Sequence, residues 1–320
     1  MQPAPQIAAA HSVIGSAGPQ AAHIEWLWWV MLWVCVAVYA TTMYVLLLGL
    51  FRRHRATEPS TVPQRKLWTY ICVSVGATVL VLLGLLVSSV LVGRATSDLS
   101  LGGALTIKLT GYQWWWGVEY QHPEIDRRIT TANEIHIPVG RPVTFTMTAG
   151  DVIHSFWVPN LHGKRDLIPG QNTTISFRAD RPGVFRGQCA EFCGYQHAHM
   201  ALFVVAEPEQ RFEEWYSNQI KAAVQPAPDE QKHGQMVFLT SDCTLCHTIR
   251  GTDAGGRTAP DLTHLKTRET IAAGTLRNTR GHLGGWIVNP QSDKPGNRMP
   301  QHAFSASDLR SLLAYLESLR

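Results

Sequence analysis

The first 25 residues contain neither lysine nor arginine. A cleavable secretion signal opens on a positively charged stretch, so the first apolar segment of this chain is expected to remain in place. Charge is sparse overall, with a net +4 over 320 residues. That balance excludes a nucleic-acid binder of the usual kind, whose domain is strongly basic. Two stretches, 26–51 and 67–93, have no charge at all. As a helix the first would run about 39 Å, against ~30 Å for a bilayer core. Buried helices of globular proteins keep a polar face, and neither stretch has one. Between them, Arg52, Arg53, Arg55, Arg65 and Lys66 stand against the single acid Glu58. Positive charge stays on the cytoplasmic side. The two spans are therefore expected to form a membrane hairpin with its short loop inside. Residues 1–25 and everything after 93 would lie outside.

Helical periodicity is missing from residues 96–206. Segments 105–110, 134–139, 143–148, 173–178 and 202–206 instead alternate with period two or run β-branched, separated by Gly140-Arg141-Pro142, Pro169-Gly170 and Arg181-Pro182-Gly183. This pattern predicts an antiparallel sandwich or barrel. Residues 207–223 read as a short amphipathic helix, and the Pro/Ala-rich stretch that follows marks a boundary. The expected organisation is an outer segment (1–25), the hairpin (26–95), an all-β domain (96–206), a helix and linker (207–230) and a small all-α domain (231–320). The last closes on a helix with Leu309, Leu312, Leu313 and Leu316 at helical spacing, capped by Ser305 with Asp308 in its first turn.

Cysteines are few, six in all, and four sit in two motifs. The first motif is QCAEFCGYQHAHM, with Cys189, Cys193, His197 and Met200, and His154 lies upstream in HSFWVP. Thiolates, imidazoles and a thioether suit copper rather than calcium or magnesium. One Cys, two His and a Met would describe a single blue copper, and the second Cys allows two thiolates to bridge two coppers. On residue chemistry alone a Cys189–Cys193 disulfide and a Cys₂His₂ zinc site remain open. The second motif is CTLCH at 243–247, the covalent haem attachment pattern, with His247 as iron ligand. Met299, in GNRMP, is the expected sixth ligand, and His264, His282 and His302 compete for that role. A thioether opposite an imidazole raises the haem potential, which suits a donor to copper. Met236 is expected in the core of this domain. Cys35 and Cys72, inside the apolar runs, read as packing residues.

HSFWVP together with CAEFCGYQHAHM resembles the copper-binding pattern of cytochrome c oxidase subunit II, and the hairpin before a β domain matches the same family over roughly residues 20–220. The resemblance implies a cupredoxin-like sandwich carrying a dinuclear CuA centre. Cys189 and Cys193 would bridge its two coppers, His154 and Met200 would complete one, and His197 with the Glu191 carbonyl the other. It also implies that the Glu191 side chain reaches a magnesium or manganese ion shared with subunit I, and that Trp114, in GYQWWWGVEY, is the point of electron entry. Residues 231–320 are similar to class I cytochromes c, with one covalent haem c. Oxidase subunits I and III are the implied partners, the membrane the implied location (bacterial inner membrane), and an upstream cytochrome or respiratory complex the implied donor. In the family an acid often precedes the Trp-Thr of the second span. Here RKLWTYICV has none, so no proton-channel entrance acid is carried over. A nitrous oxide reductase would need a large propeller domain, which the sequence lacks. A copper chaperone would not need so many ligands or a fused cytochrome.

Overall fold

The computed structural model describes residues 11–55, 63–97 and 102–320. The middle of the basic loop, including Glu58, lies outside the described residues. The chain divides into two units, residues 22–98 and the remainder.

The first unit is two long helices, α1 (Pro19–Arg55) and α2 (Gln64–Ser97). Each extends beyond its uncharged run, and both are long and apolar enough to cross a membrane. Their hydroxyls do not spoil that surface. Thr41, Thr42, Thr78 and Ser88 each donate to the carbonyl four residues back, so each polar hydrogen is satisfied within its own helix.

The second unit holds both remaining domains. Ten strands form a two-sheet sandwich: β1 (Leu105–Tyr112), β2 (Trp115–Tyr120), β3 (Ile129–Ala132), β4 (Glu134–Pro138), β5 (Val143–Ala149), β6 (His154–Trp157), β7 (Arg165–Leu167), β8 (Thr173–Phe177), β9 (Gly183–Cys189) and β10 (Ala201–Glu207). One sheet has the order β3-β2-β1-β5-β8 and the other β4-β10-β9-β6-β7. The expected antiparallel sandwich is in fact mixed, because β1 pairs with β5 and β4 with β10 in parallel. Alternation along one strand sets which face is buried. It carries no information about the direction of a partner remote in sequence. Phe145, Phe156 and Phe177 stack at the centre of the core.

Residues just before α1 also belong to this unit. Ala17 N donates to Asn160 O at 2.7 Å, Asp180 N to Ala17 O at 2.7 Å, and Asn160 Nδ2 to Gly15 O at 2.9 Å. The chain on either side of the hairpin is thus tied to one domain. Helix α3 (Glu209–Gln219) buries Phe212 and Tyr216 against the sandwich.

The C-terminal domain comprises α4 (Asp229–Thr240), α5 (Cys243–Cys246), a two-residue strand pair β11 (Thr270–Ile271) and β12 (Leu276–Arg277), α6 (Arg280–Val288), α7 (Pro290–Asp293) and α8 (Ala306–Leu316). Helices α4 and α8 cross closely at Gly234, where a Cβ would overlap the Ser311 carbonyl. Ser305 caps α8 by accepting from Asp308 N at 3.0 Å. Met236, expected in the core, is 55% exposed: it lies on the side of α4 away from the buried Gly234 and Phe238.

Candidate functional site

The sandwich gathers its sulfur and imidazole donors at one end. His154 opens β6 and Cys189 closes β9; these strands are neighbours, with Phe156 opposite Cys189. The loop from 190 to 200 then folds back over them before β10 begins. Cys189 Sγ lies 3.8 Å from Cys193 Sγ, 3.8 Å from His154 Nδ1 and 3.2 Å from the Glu191 carbonyl. Cys193 Sγ lies 3.6 Å from His197 Nδ1 and 3.9 Å from Met200 Sδ. Both cysteines are buried free thiols, so the disulfide alternative is not realised. His154, Cys189 and Cys193 present ligand atoms within 4.8 Å of one another.

The electrostatics favour a cation here. Hydrogen bonding from Cys193 pulls the Cys189 thiol down to about 3. That same bond, with burial, pushes Cys193 up. Without positive charge the pair keeps one proton, since two adjacent thiolates repel. A site of soft donors that needs positive charge to ionise fully fits copper ions.

The surrounding residues fix the donors. Asp151 Oδ1 pairs with His154 Nε2 at 2.9 Å, while Oδ2 accepts from Gln113 N at 2.8 Å. Burial raises the Asp151 pKa, but these hydrogen bonds outweigh it and hold it below the usual range. Such a carboxylate orients a ligating imidazole and selects its tautomer. Trp114 Nε1 and Gln113 Nε2 both donate to the Cys193 carbonyl, at 2.9 and 2.8 Å. Trp116 is fully buried and Trp115 stacks on Tyr112, so the three adjacent tryptophans point different ways. The Glu191 side chain is exposed, beside Phe192 (77% exposed) and Tyr195 (92%). Sequence reasoning missed Asp151. Its signal was a lone carboxylate three residues before His154.

The second site is a cavity of about 580 Å³ in the C-terminal domain, lined by Cys243, Cys246, His247 and Met299. Its remaining walls are largely apolar, including Leu283, Trp286 and Leu312. His247 Nδ1 donates to the Pro260 carbonyl at 2.7 Å, which leaves Nε2 as the acceptor for a metal. Burial keeps the His247 pKa low, favouring the neutral ring an iron ligand requires. Two thiols, an imidazole and a thioether around an apolar space of this size fit a covalent haem. Among the competing histidines, His264 has both ring nitrogens engaged, with Arg320 O and Lys221 O. His282 does not line the cavity, whereas His302 does. Trp114 and Lys294 line the same cavity, so the haem space reaches the sandwich.

Lys294 was also missed. It is 2% exposed, and burial lowers its pKa to about 7.

Two segments of the chain match known protein families. Residues 105–207 match the family model described as "Cytochrome C oxidase subunit II, periplasmic domain", and residues 231–320 match that for cytochrome c. Cytochrome c oxidase subunit 2 of Alkalihalophilus pseudofirmus is 40% identical over 215 residues, covering 67% of this chain and 61% of that protein. The Bacillus sp. (strain PS3) protein of the same name is 33% identical, covering 68% and 62%. The aligned part thus spans about three fifths of these relatives. The crystal structure of the periplasmic domain of cytochrome oxidase subunit II from Bradyrhizobium japonicum is 32% identical, covering 36% of this chain and 92% of that one with a TM-score of 0.34. Residues 105–207, the cupredoxin-like sandwich, are thus a cytochrome c oxidase subunit II periplasmic domain, and residues 231–320 are a cytochrome c domain.

Proposed function

We propose that this chain is the electron-accepting subunit of a membrane-bound heme–copper oxidase, taking electrons at a haem c and handing them through a dinuclear copper centre to an oxygen-reducing partner subunit. Cys243 and Cys246 would anchor the haem, and His247 and Met299 would hold its iron. His154, Cys189, Cys193, His197, Met200 and the Glu191 carbonyl would hold two coppers. Bound there, the copper pair would supply one-electron chemistry, while the protein provides binding and orientation.

The observation that carries the reading is the convergence of five side-chain donors from two distant segments in a buried, strand-anchored cage. The chain's own residues then have definite tasks. Asp151 fixes the His154 ring. Gln113 and Trp114 hold the Cys193 carbonyl and so the turn of the ligand loop. Phe156 and Trp116 shield the cage from water, which keeps the local dielectric low. The exposed Glu191, Phe192 and Tyr195 form the face toward subunit I, where the Glu191 carboxylate would meet a magnesium or manganese ion. Subunit III completes the assembly. Both outer domains carry nearly balanced charge, so no strongly acidic face steers a basic donor. A membrane-bound or neutral cytochrome, or an upstream respiratory complex, fits better.

The hairpin would anchor the subunit in the bacterial inner membrane, with both redox domains outside. The basic residues between the two spans support that topology, because positive charge stays on the cytoplasmic side. Proton translocation would accompany the partner's chemistry. The test is oxygen uptake by the assembled oxidase, with anaerobic rapid mixing to follow haem and copper separately. Cys189→Ser should leave haem reduction intact while abolishing copper reduction and oxygen uptake. Undiminished uptake would overturn the proposal.

A further inference from the structure

Lys294 leaves the end of α7 and crosses from the haem domain into the sandwich. Its Nζ donates to the carbonyls of Trp114 at 2.9 Å and His199 at 2.9 Å, both in the sandwich. A third bond, at 3.2 Å, goes to Ala272 O in its own domain. An ammonium has three donors and no acceptor, so its hydrogen-bonding capacity is met in full without a carboxylate. A methionine in its place would leave three inward-facing carbonyls bare, and a shorter amide would not reach all three.

The backbone around it is shaped to the same end. Ala272 and Ala273 take φ of 54° and 55°, a left-handed conformation that residues with a Cβ rarely adopt. Adopting it turns Ala272 O toward Lys294 and lets Ala273 O accept from Ala201 N at 3.0 Å. At Gly274, φ is +75° and a Cβ would stand 2.9 Å from that of Ala201, so the hairpin turn lies directly on β10. Gln196 Nε2 donates to Pro295 O at 2.8 Å, and Glu269 N to Glu134 Oε2 at 3.1 Å.

These contacts bear on both sites. His199 precedes Met200, and Trp114 holds the Cys193 carbonyl while lining the haem cavity. On the other side, Lys294 begins the short loop that ends at Met299. We infer that Lys294 is a positioning residue that registers the haem domain on the copper loop in one docked pose, with Trp114 fixed between the two centres. The inference rests on the proposed electron route for its consequence, and on the hydrogen bonds alone for the docking. The haem domain then does not shuttle on its linker.

The test uses the full chain in the assembled oxidase, loaded with haem and copper, with Lys294→Met and Lys294→Gln. The Ala201 and Glu269 amides, which bond across the boundary, should exchange with solvent about tenfold faster or more in both variants. Val204 in β10 and Leu312 in α8 should keep their protection. Haem-to-copper transfer should slow by roughly tenfold or more and become viscosity-dependent, with copper hyperfine structure and haem absorption unchanged. Wild-type exchange and transfer in both variants would overturn the inference. So would loss of protection throughout both domains, or failure of both variants to hold copper and haem, since Lys294 would then be a folding residue. If the unaltered protein passes no electrons from haem to copper, the proposed function fails instead, and the exchange measurement still decides the docking.

Discussion

The proposed copper cage and the proposed haem cavity solve opposite problems. The cage assembles its donors within 4 Å on two paired strands and a loop, filling its own interior with sulfur and imidazole. The cavity spreads its ligands around 580 Å³ of largely apolar space. An ion site can be prefolded by the protein, because the ligands pack against one another. A large prosthetic group is part of the core it sits in, so its domain is incomplete without it.

The sharpest break of that comparison removes each group in turn. Leaving this largely apolar space of about 580 Å³ without its group takes away the packing partners of the side chains that line it. Blocking attachment with Cys243→Ser and Cys246→Ser should therefore unfold residues 229–320, read as lost helical circular dichroism and rapid proteolysis there. Removing copper should leave the sandwich folded, with its strand signal and denaturation midpoint nearly intact.

A smaller effect tests how the cage is supported. Asp151→Asn keeps the shape beside His154 but removes the charge that orients its ring. Copper affinity should fall roughly 10- to 100-fold, measured by competition with a chelator, while the haem spectrum stays unchanged.

The smallest effect lies away from both centres. Burial alone would lower the His136 pKa, but hydrogen bonds to Glu134 and Glu207 outweigh it and hold it above the usual value. A raised folded pKa means stability that is complete below the unfolded pKa of ~6.5 and lost as pH rises through the folded value. The sandwich's denaturation midpoint should decline as pH rises above ~6.5, and His136→Gln should flatten that dependence. A midpoint that climbs over this range would contradict the assignment.

Much of this was legible in the sequence because the signals are local. Charge-free runs, a CxxCH motif and donors at fixed offsets each report on their own segment. The parallel pairings of β1 with β5 and of β4 with β10 were not legible, since alternation does not encode partner direction. Helix α6 was hidden by Gly281, Gly284 and Gly285, poor helix formers that tertiary packing overrides around Leu283 and Ile287. Lys294 carried no signal: a lone lysine beside a proline reads as surface, and only the approach of three carbonyls from two domains makes its burial tolerable.

The central claim is that two thiolates share two metal ions holding one mobile electron. Copper counting with electron paramagnetic resonance on the purified full chain tests it most directly. The account predicts two coppers and one low-spin haem per chain, with a seven-line hyperfine pattern from an electron spread equally over two copper nuclei. One copper per chain with a four-line pattern would contradict it.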